Sequence, residues 1–364
     1  IEAAHSAEGS YSPNLKGFSA RPSLSVYSRQ YQPLRLLGEM TDHGQTIEET
    51  DYIRIFTLKE DVLTVSLKTP MGVIEQGVVD GLHRALDLAE SEYQGLVIWQ
   101  PKGPFSAGAN LKAATAMIQA NDWDSVRSLV TNFQAVNLRM RYAQVPSVAA
   151  VRGLALGGGL ELAMHASKRV AHLESYMGLV EAGVGLVPGG GGLARLTLQS
   201  FLDTQTSDTY PLLEKRYKQV AMGQVSGSAM EAREMGYLRP HDSIIMHEHE
   251  LLRAAHGAVR AMHAEGYRPE LPEQPIPAAG DVGISTMKML LVNMLSGHFI
   301  SEHDYEIAQR IATVMCGGAI DRGTHITETW LHHLEREHFL ALADMPKTQE
   351  RIAHMLKTGK PLRN

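Results

Sequence analysis

Cysteine is almost absent from this chain: Cys316 is the single one in 364 residues. One thiol excludes an internal disulfide framework and any multi-thiolate zinc site. It suits a reducing compartment, and a cytoplasmic location is expected on that ground. No apolar run approaches the ~18 residues that span a bilayer, so no transmembrane segment is expected. Basic charge is also short, with 34 Lys and Arg against 40 Asp and Glu, a net of −6. A domain that lives on phosphate contacts tilts the other way, so nucleic acid is not an expected partner. Familiar glycine-loop signatures are missing as well. The one Gly-Lys pair, Gly359-Lys360, lacks the upstream glycine and following Ser or Thr of a phosphate-binding loop. Gly183-Val184-Gly185 runs on to Pro188 and Gly189, out of register for a dinucleotide fingerprint. No Gly-x-Ser-x-Gly elbow occurs, which argues against an α/β-hydrolase.

What is present is an ordinary globular balance, 44% apolar and 20% charged, in a chain long enough for two or three domains. It starts at Ile1 with no signal-peptide pattern, and the expectation is a processed chain or part of a longer one. Residues 1–50 scatter Pro, Ser and Gly without an apolar period and read as a linker or an N-terminal arm. Regular structure is expected from about Tyr52. Ile53 to Leu58 and Val62 to Leu67 alternate as half-buried strands around a polar turn, Lys59-Glu60-Asp61. Val78 to Ala89 has helical spacing, and Gly95 to Trp99 and Pro146 to Val151 read as buried strands. A long helical stretch ends near Tyr142, Leu160 to Ala166 looks helical, and Val170-Ala171 and Met177 to Leu179 are short strand candidates. Beyond Gly192 helical periodicity dominates, through Leu251 to His263, Thr286 to Leu295, Ser301 to Met315 and Glu328 to Ala343. Lys357 to Pro361 reads as an exposed polar end.

Three glycine-rich stretches carry the chemistry: Phe105 to Lys112, Gly153 to Glu161, and Gly178 to Gly192. The first two each follow a buried strand and open a helix. First-turn N–H groups have no internal partner and sit at the positive helix end. Two such ends brought together supply two donors to one developing oxyanion. Glu161 follows Gly158 by three residues and shares its helix face. Glu181 sits in the third stretch, flanked by Gly178, Gly183 and Gly185. Two carboxylates beside such donors suit proton movement next to a carbonyl. Spacing alone leaves a plainer reading open, in which the glycines pack a helix on a strand and Glu161 complements its dipole.

The stretch from Phe105 to Leu196 closely resembles the crotonase (enoyl-CoA hydratase/isomerase) superfamily. The matching pieces are Phe105-Ser106-Ala107-Gly108-Ala109-Asn110-Leu111-Lys112, Gly157-Gly158-Gly159-Leu160-Glu161-Leu162-Ala163, and Val180-Glu181-Ala182-Gly183 on to Gly192. A weaker match at Ser226 to Gly236 extends the resemblance over about residues 50–265. It implies an α/β fold, a crotonase-like ββα spiral core over 51–265, with an extended all-helical C-terminal region over 266–364. It implies an acyl-CoA substrate and an oxyanion hole from the Ala109 and Gly158 N–H groups. Glu161 and Glu181 match the two glutamates of hydratases, which favours syn addition of water to a trans-2-enoyl-CoA. Ala107, Gly108, Asn110, Leu111, Lys112, Met71 and Val73 fall at substrate-binding positions. Asn110 stands where many members carry Asp, and Gly72 where the family usually has Asn near the CoA. The whole chain resembles the C-terminal hydratase part of a bifunctional β-oxidation protein. NAD would then belong only to a 3-hydroxyacyl-CoA dehydrogenase part outside this sequence, and no cofactor is expected here. Homo-oligomers are common in the family and expected. A Δ3-Δ2-enoyl-CoA isomerase on the same fold and a non-catalytic scaffold are the alternatives.

The other candidates have plain readings. Twelve of seventeen histidines follow residue 240, but His247 and His249, or His332, His333 and His338, lack the spacing of two ligands on one helical turn, so no metal site is expected. Lys112 is either a CoA-phosphate contact or a solvated lysine. Cys316 and the methionines Met287, Met289 and Met294 read as core.

Overall fold

The computed structural model describes residues 44–364 apart from 59–60 and 206–207, together with three short strands among the first nineteen residues. The chain divides into two compact units, 1–41 and 42–364. The first contains an antiparallel sheet of β1 (His5–Ser6), β2 (Gly9–Ser12) and β3 (Gly17–Ser19). The rest of the expected linker up to residue 43, and Lys59-Glu60 of the expected turn, lie outside the described residues.

The second unit is built on a seven-stranded sheet. Its first three strands, β4 (Gln45–Glu49), β5 (Ile53–Thr57) and β6 (Leu63–Leu67), are antiparallel neighbours, with Ile53 opposite Leu67. β7 (Leu96–Trp99), β8 (Ser147–Leu156), β9 (Lys168–Gly178) and β10 (Ser243–Ile245) then add in parallel, in that order. Parallel strands require crossovers, and helices supply each one. They are α1 (Gln76–Glu92), α2 (Leu111–Gln119) and α3 (Trp123–Arg141), α4 (Gly158–His165), then α5 (Gly192–Asp203), α6 (Tyr210–Ala221) and α7 (Ala229–Glu234). Every residue of β7 is buried, as a continuous apolar run in a covered sheet requires. So is every residue of β6, which was expected to be half-buried: its polar Thr64 and Ser66 are covered too, paired with His256 Nε2 and Trp99 O. The short strand candidate at 170–171 and all of that at 177–179 except Leu179 fall in the single strand β9, whose middle carries the half-buried His172 and Leu173 and the exposed Glu174.

α8 (Leu251–Ala264) packs on β7, β8 and β9. After it come α9 (Gly280–Ser296), α10 (Glu302–Met315), α11 (Glu328–Ala343) and α12 (Pro346–Thr358). A two-residue ladder joins β11 (Ile276–Pro277) to β12 (His325–Ile326) within this helical region. α11 packs against α3 and α5, and α12 against α2 and the 3-10 turn Glu181–Val184, so the tail helices reach both glutamate loops. The polar end expected at 357–361 is exposed, yet the chain after Gly359 folds back: Asn364 Oδ1 accepts from Arg351 Nε at 2.8 Å.

A buried ion pair ties the last sheet strand to the core. Asp242 accepts from the Arg169 backbone N–H at 2.8 Å, from Arg169 Nε at 2.7 Å and from the Arg239 backbone N–H at 2.6 Å. Removing one partner leaves the other's charge buried and uncompensated. Asp242→Ala should therefore cost about 3–5 kcal/mol, read as a lower urea midpoint.

Candidate active site

Strand β8 ends at Leu156; Gly157 follows with φ of 53° and ψ of −127°, which suit only glycine, and α4 begins at the next residue. The turn leaves the Gly158 N–H at the head of the helix, where no intrahelical acceptor exists. Opposite it, the loop after β7 runs beside Ile74. The Ile74 N–H donates to Gly108 O at 2.8 Å and the Asn110 N–H to Ile74 O at 3.0 Å. The N–H of Ala109, between them, points away from that ladder. The two loops touch: a Cβ built on Gly158 would lie 3.5 Å from the Ala109 nitrogen, and one on Gly108 would lie 3.4 Å from the Gly158 nitrogen. Two unspent backbone donors thus lie side by side.

Both glutamates face the same space. Glu161, in the first turn of α4, is 2% exposed. Its Oε1 accepts from the N–H groups of Gly190 and Gly192, each at 2.8 Å. Glu181 opens the 3-10 turn after β9, and its Oε1 would lie 2.9 Å from a Cβ on Gly157. Glu181 Oε2 is inaccessible to solvent and has no hydrogen-bond partner. Burial raises the Glu161 carboxyl to about 7, against the pull of the Gly192 and Gly190 N–H groups. Burial pushes Glu181 well up too, and the neighbouring Glu161 charge adds to it. Two such acids cannot both ionise cheaply, and the two N–H donors on Glu161 Oε1 favour its charged form.

These groups line a cavity of about 540 Å³. Ala107, Gly108, Ala109, Leu111, Gly158, Glu161 and Glu181 are on its wall. Its apolar wall includes Leu129, Val130 and Phe133 of α3 and Leu291, Ile300, Phe339 and Met355 of the tail. Four residues at expected substrate positions do not line it. Asn110 caps α2 by accepting from the Ala113 N–H at 3.0 Å and donates to Glu75 Oε2 at 2.8 Å. Lys112 is exposed, Val73 is half-buried, and Met71 is exposed with φ 58° on the other side of the Gly72 turn.

Sequence reasoning missed a third buried acid. Glu335 of α11 is 0% exposed and accepts from the Gly191 N–H at 2.8 Å and the Ala194 N–H at 2.9 Å. It also missed a buried cluster of His165, Glu328 and His332, whose ligand-type atoms lie within 4.8 Å of one another. Glu328 and His332 are four apart on α11, a spacing hidden to a search of histidines alone. His165 Nδ1–H donates to Glu161 O at 2.7 Å, and burial lowers the two rings to about 3 and about 4, so both are neutral. The carboxylate is already committed: Arg141 and the Tyr142 hydroxyl each donate to one Glu328 oxygen. Through these bonds the cluster braces α11 against α3 and α4.

The loops of this α/β sheet gather two amides and two glutamates on an apolar cavity, and comparison with known proteins says what the chain is similar to. Residues 57–200 match the enoyl-CoA hydratase/isomerase family model, so this part of the chain is similar to that family. A Bacillus subtilis protein named "Probable 3-hydroxyacyl-CoA dehydrogenase" is 35% identical over 88% of this chain and 41% of its own length. A Rickettsia felis protein bearing the name of a fatty acid oxidation complex trifunctional enzyme is 25% identical, over 88% of this chain and 41% of its own length. The chain thus spans about two fifths of the length of these curated relatives. The fold is that of a carnitinyl-CoA dehydratase from Mycobacterium thermoresistibile, with a TM-score of 0.62 at 14% identity over 85% of this chain and 91% of that one. Among the described residues no helix is long and apolar enough to cross a membrane.

Proposed function

We propose that this chain hydrates trans-2-enoyl-CoA thioesters to 3-hydroxyacyl-CoA, as a hydro-lyase of fatty-acid β-oxidation. The observation that carries the reading is the unequal pair: Glu161 with two N–H donors on one oxygen, Glu181 with a buried oxygen that has none. The thioester oxygen lies against the Ala109 and Gly158 N–H groups. Water sits between the carboxyl groups. Glu161 takes its proton as hydroxide adds to C3, and the electron pair of the double bond moves onto C2 and the carbonyl. The two amides hold the resulting enolate oxygen. Glu181 then delivers a proton to C2, so one water adds across one double bond. The acyl chain extends along the apolar wall from α3 and the tail.

The greater length of the relatives supports a further reading, in which this hydratase part is joined to a 3-hydroxyacyl-CoA dehydrogenase that oxidises its product with NAD. Added crotonyl-CoA should lose its conjugated-thioester absorbance in the presence of the purified chain. No loss with short or long 2-enoyl-CoAs, together with conversion of 3-enoyl-CoA, would replace the hydratase by an isomerase.

A further inference from the structure

The loop leading into α5 contains four consecutive glycines, Gly189 to Gly192. Its N–H groups are dealt alternately to two carboxylates. Gly190 and Gly192 donate to Glu161 Oε1, and Gly191 between them donates to Glu335 Oε2 at 2.8 Å. Ala194, one turn further on, donates to Glu335 Oε1 at 2.9 Å. Gly191 reaches this alternation through a φ of 98°, a conformation that residues with a Cβ rarely adopt. A run of glycines is the freest backbone a chain can have, so something must hold it. Glu335 is itself held. Gln134 Nε2 donates to its Oε2 at 3.2 Å, and Arg336 Nη1 donates to Gln134 Oε1 at 2.5 Å. Glu335 is not on the cavity wall, so it has no route to substrate.

We propose that Glu335, carried on the C-terminal tail, is a positioning residue for Glu161: it grips the far side of the glycine turn, and so aims the Gly190 and Gly192 N–H groups that orient the base. The inference rests on the hydratase reading. It makes proton abstraction from water depend on α11, a helix outside the residues that match the family model. The price of burying a third acid is then accounted for by its three N–H donors.

Glu335→Gln tests this, because an amide keeps the shape but turns an NH₂ toward one of the two backbone donors. The expected result is a fall in kcat for crotonyl-CoA hydration of about 10- to 100-fold, the scale of a slightly misplaced catalytic group, with KM within about threefold. Exchange of the butyryl-CoA α-proton into D₂O uses the amides and Glu181 but not Glu161, and it should stay near the wild-type rate. Hydrogen–deuterium exchange of a peptide covering 189–194 should speed up. Unchanged hydration, unchanged loop exchange, or hydration and α-proton exchange falling together would each overturn the proposal. If Glu335→Gln does not fold, Arg336→Met releases the half-buried clamp on Gln134. It should slow hydration in the same direction with α-proton exchange spared, and a wild-type profile there would overturn the proposal equally. If the wild-type chain neither hydrates nor exchanges, the hydratase reading fails by itself. Loop exchange in the variants then decides whether Glu335 holds the turn.

Discussion

Glu161→Gln is expected to lower kcat for crotonyl-CoA hydration by about 10²–10⁴, the contribution of a placed general base. The substitution is close to isosteric. The amide oxygen can keep both bonds from Gly190 and Gly192, which places the NH₂ where Glu161 Oε2 now faces the cavity. An NH₂ takes no proton from water, so the chemistry is lost while the loop stays in place. Calorimetric affinity for a saturated acyl-CoA should change by less than about threefold, since no contact to the acyl-CoA is removed. The wild-type pH profile provides the matching signature. Burial holds the Glu161 carboxyl at about 7, so kcat/KM should decline as pH falls through that value and the base becomes protonated. A Glu161→Gln enzyme with kcat within threefold of wild type would end the assignment of the base.

The sheet and the two glutamates were legible because each is announced locally. Buried strands such as Leu96–Trp99 are short apolar runs, and Glu161 and Glu181 lie inside glycine motifs whose resemblance to the crotonase superfamily singled them out where spacing alone left a packing reading open. Glu335 was not legible. It sits in a helix of mixed polarity, and its meaning comes from meeting Gly191, 144 residues away in sequence. The last helix was missed for a related reason. α12 buries Thr348, Arg351 and Ile352, so its inner face carries hardly any apolar period. Its polar inner residues are nevertheless specific: Thr348 Oγ1 donates to Gly185 O at 2.8 Å and Arg351 Nη1 to Ala182 O at 3.3 Å. The two tail helices therefore grip opposite loops, α11 the turn at Glu161 and α12 the turn at Glu181. A tail that looks like an appendage in sequence is part of what holds both acids in place.

Glu181→Gln should be as damaging to turnover as the first variant, again about 10²–10⁴ in kcat, for the opposite chemical reason. Glu181 Oε2 has no hydrogen-bond partner, and burial together with the Glu161 charge raises its carboxyl well above the usual range against the pull of the Glu181 and Val180 N–H groups. The group is held as an acid, and glutamine copies its neutral form without a proton that can leave for C2. In the proposed reaction the two carboxyls act on one water and one enolate, so the losses should not add. Glu161→Gln with Glu181→Gln should be only slightly slower than either alone. Stability separates this residue from a structural one. A carboxyl whose folded pKa is raised binds its proton more tightly in the native state than in the unfolded chain, so it opposes folding increasingly as pH rises above the unfolded value of about 4.3. Glutamine removes that penalty. The Tm of Glu181→Gln should match wild type below about pH 4 and exceed it at pH 8. A variant that is inactive but less stable than wild type at pH 8 would show a scaffold residue in place of the proton donor.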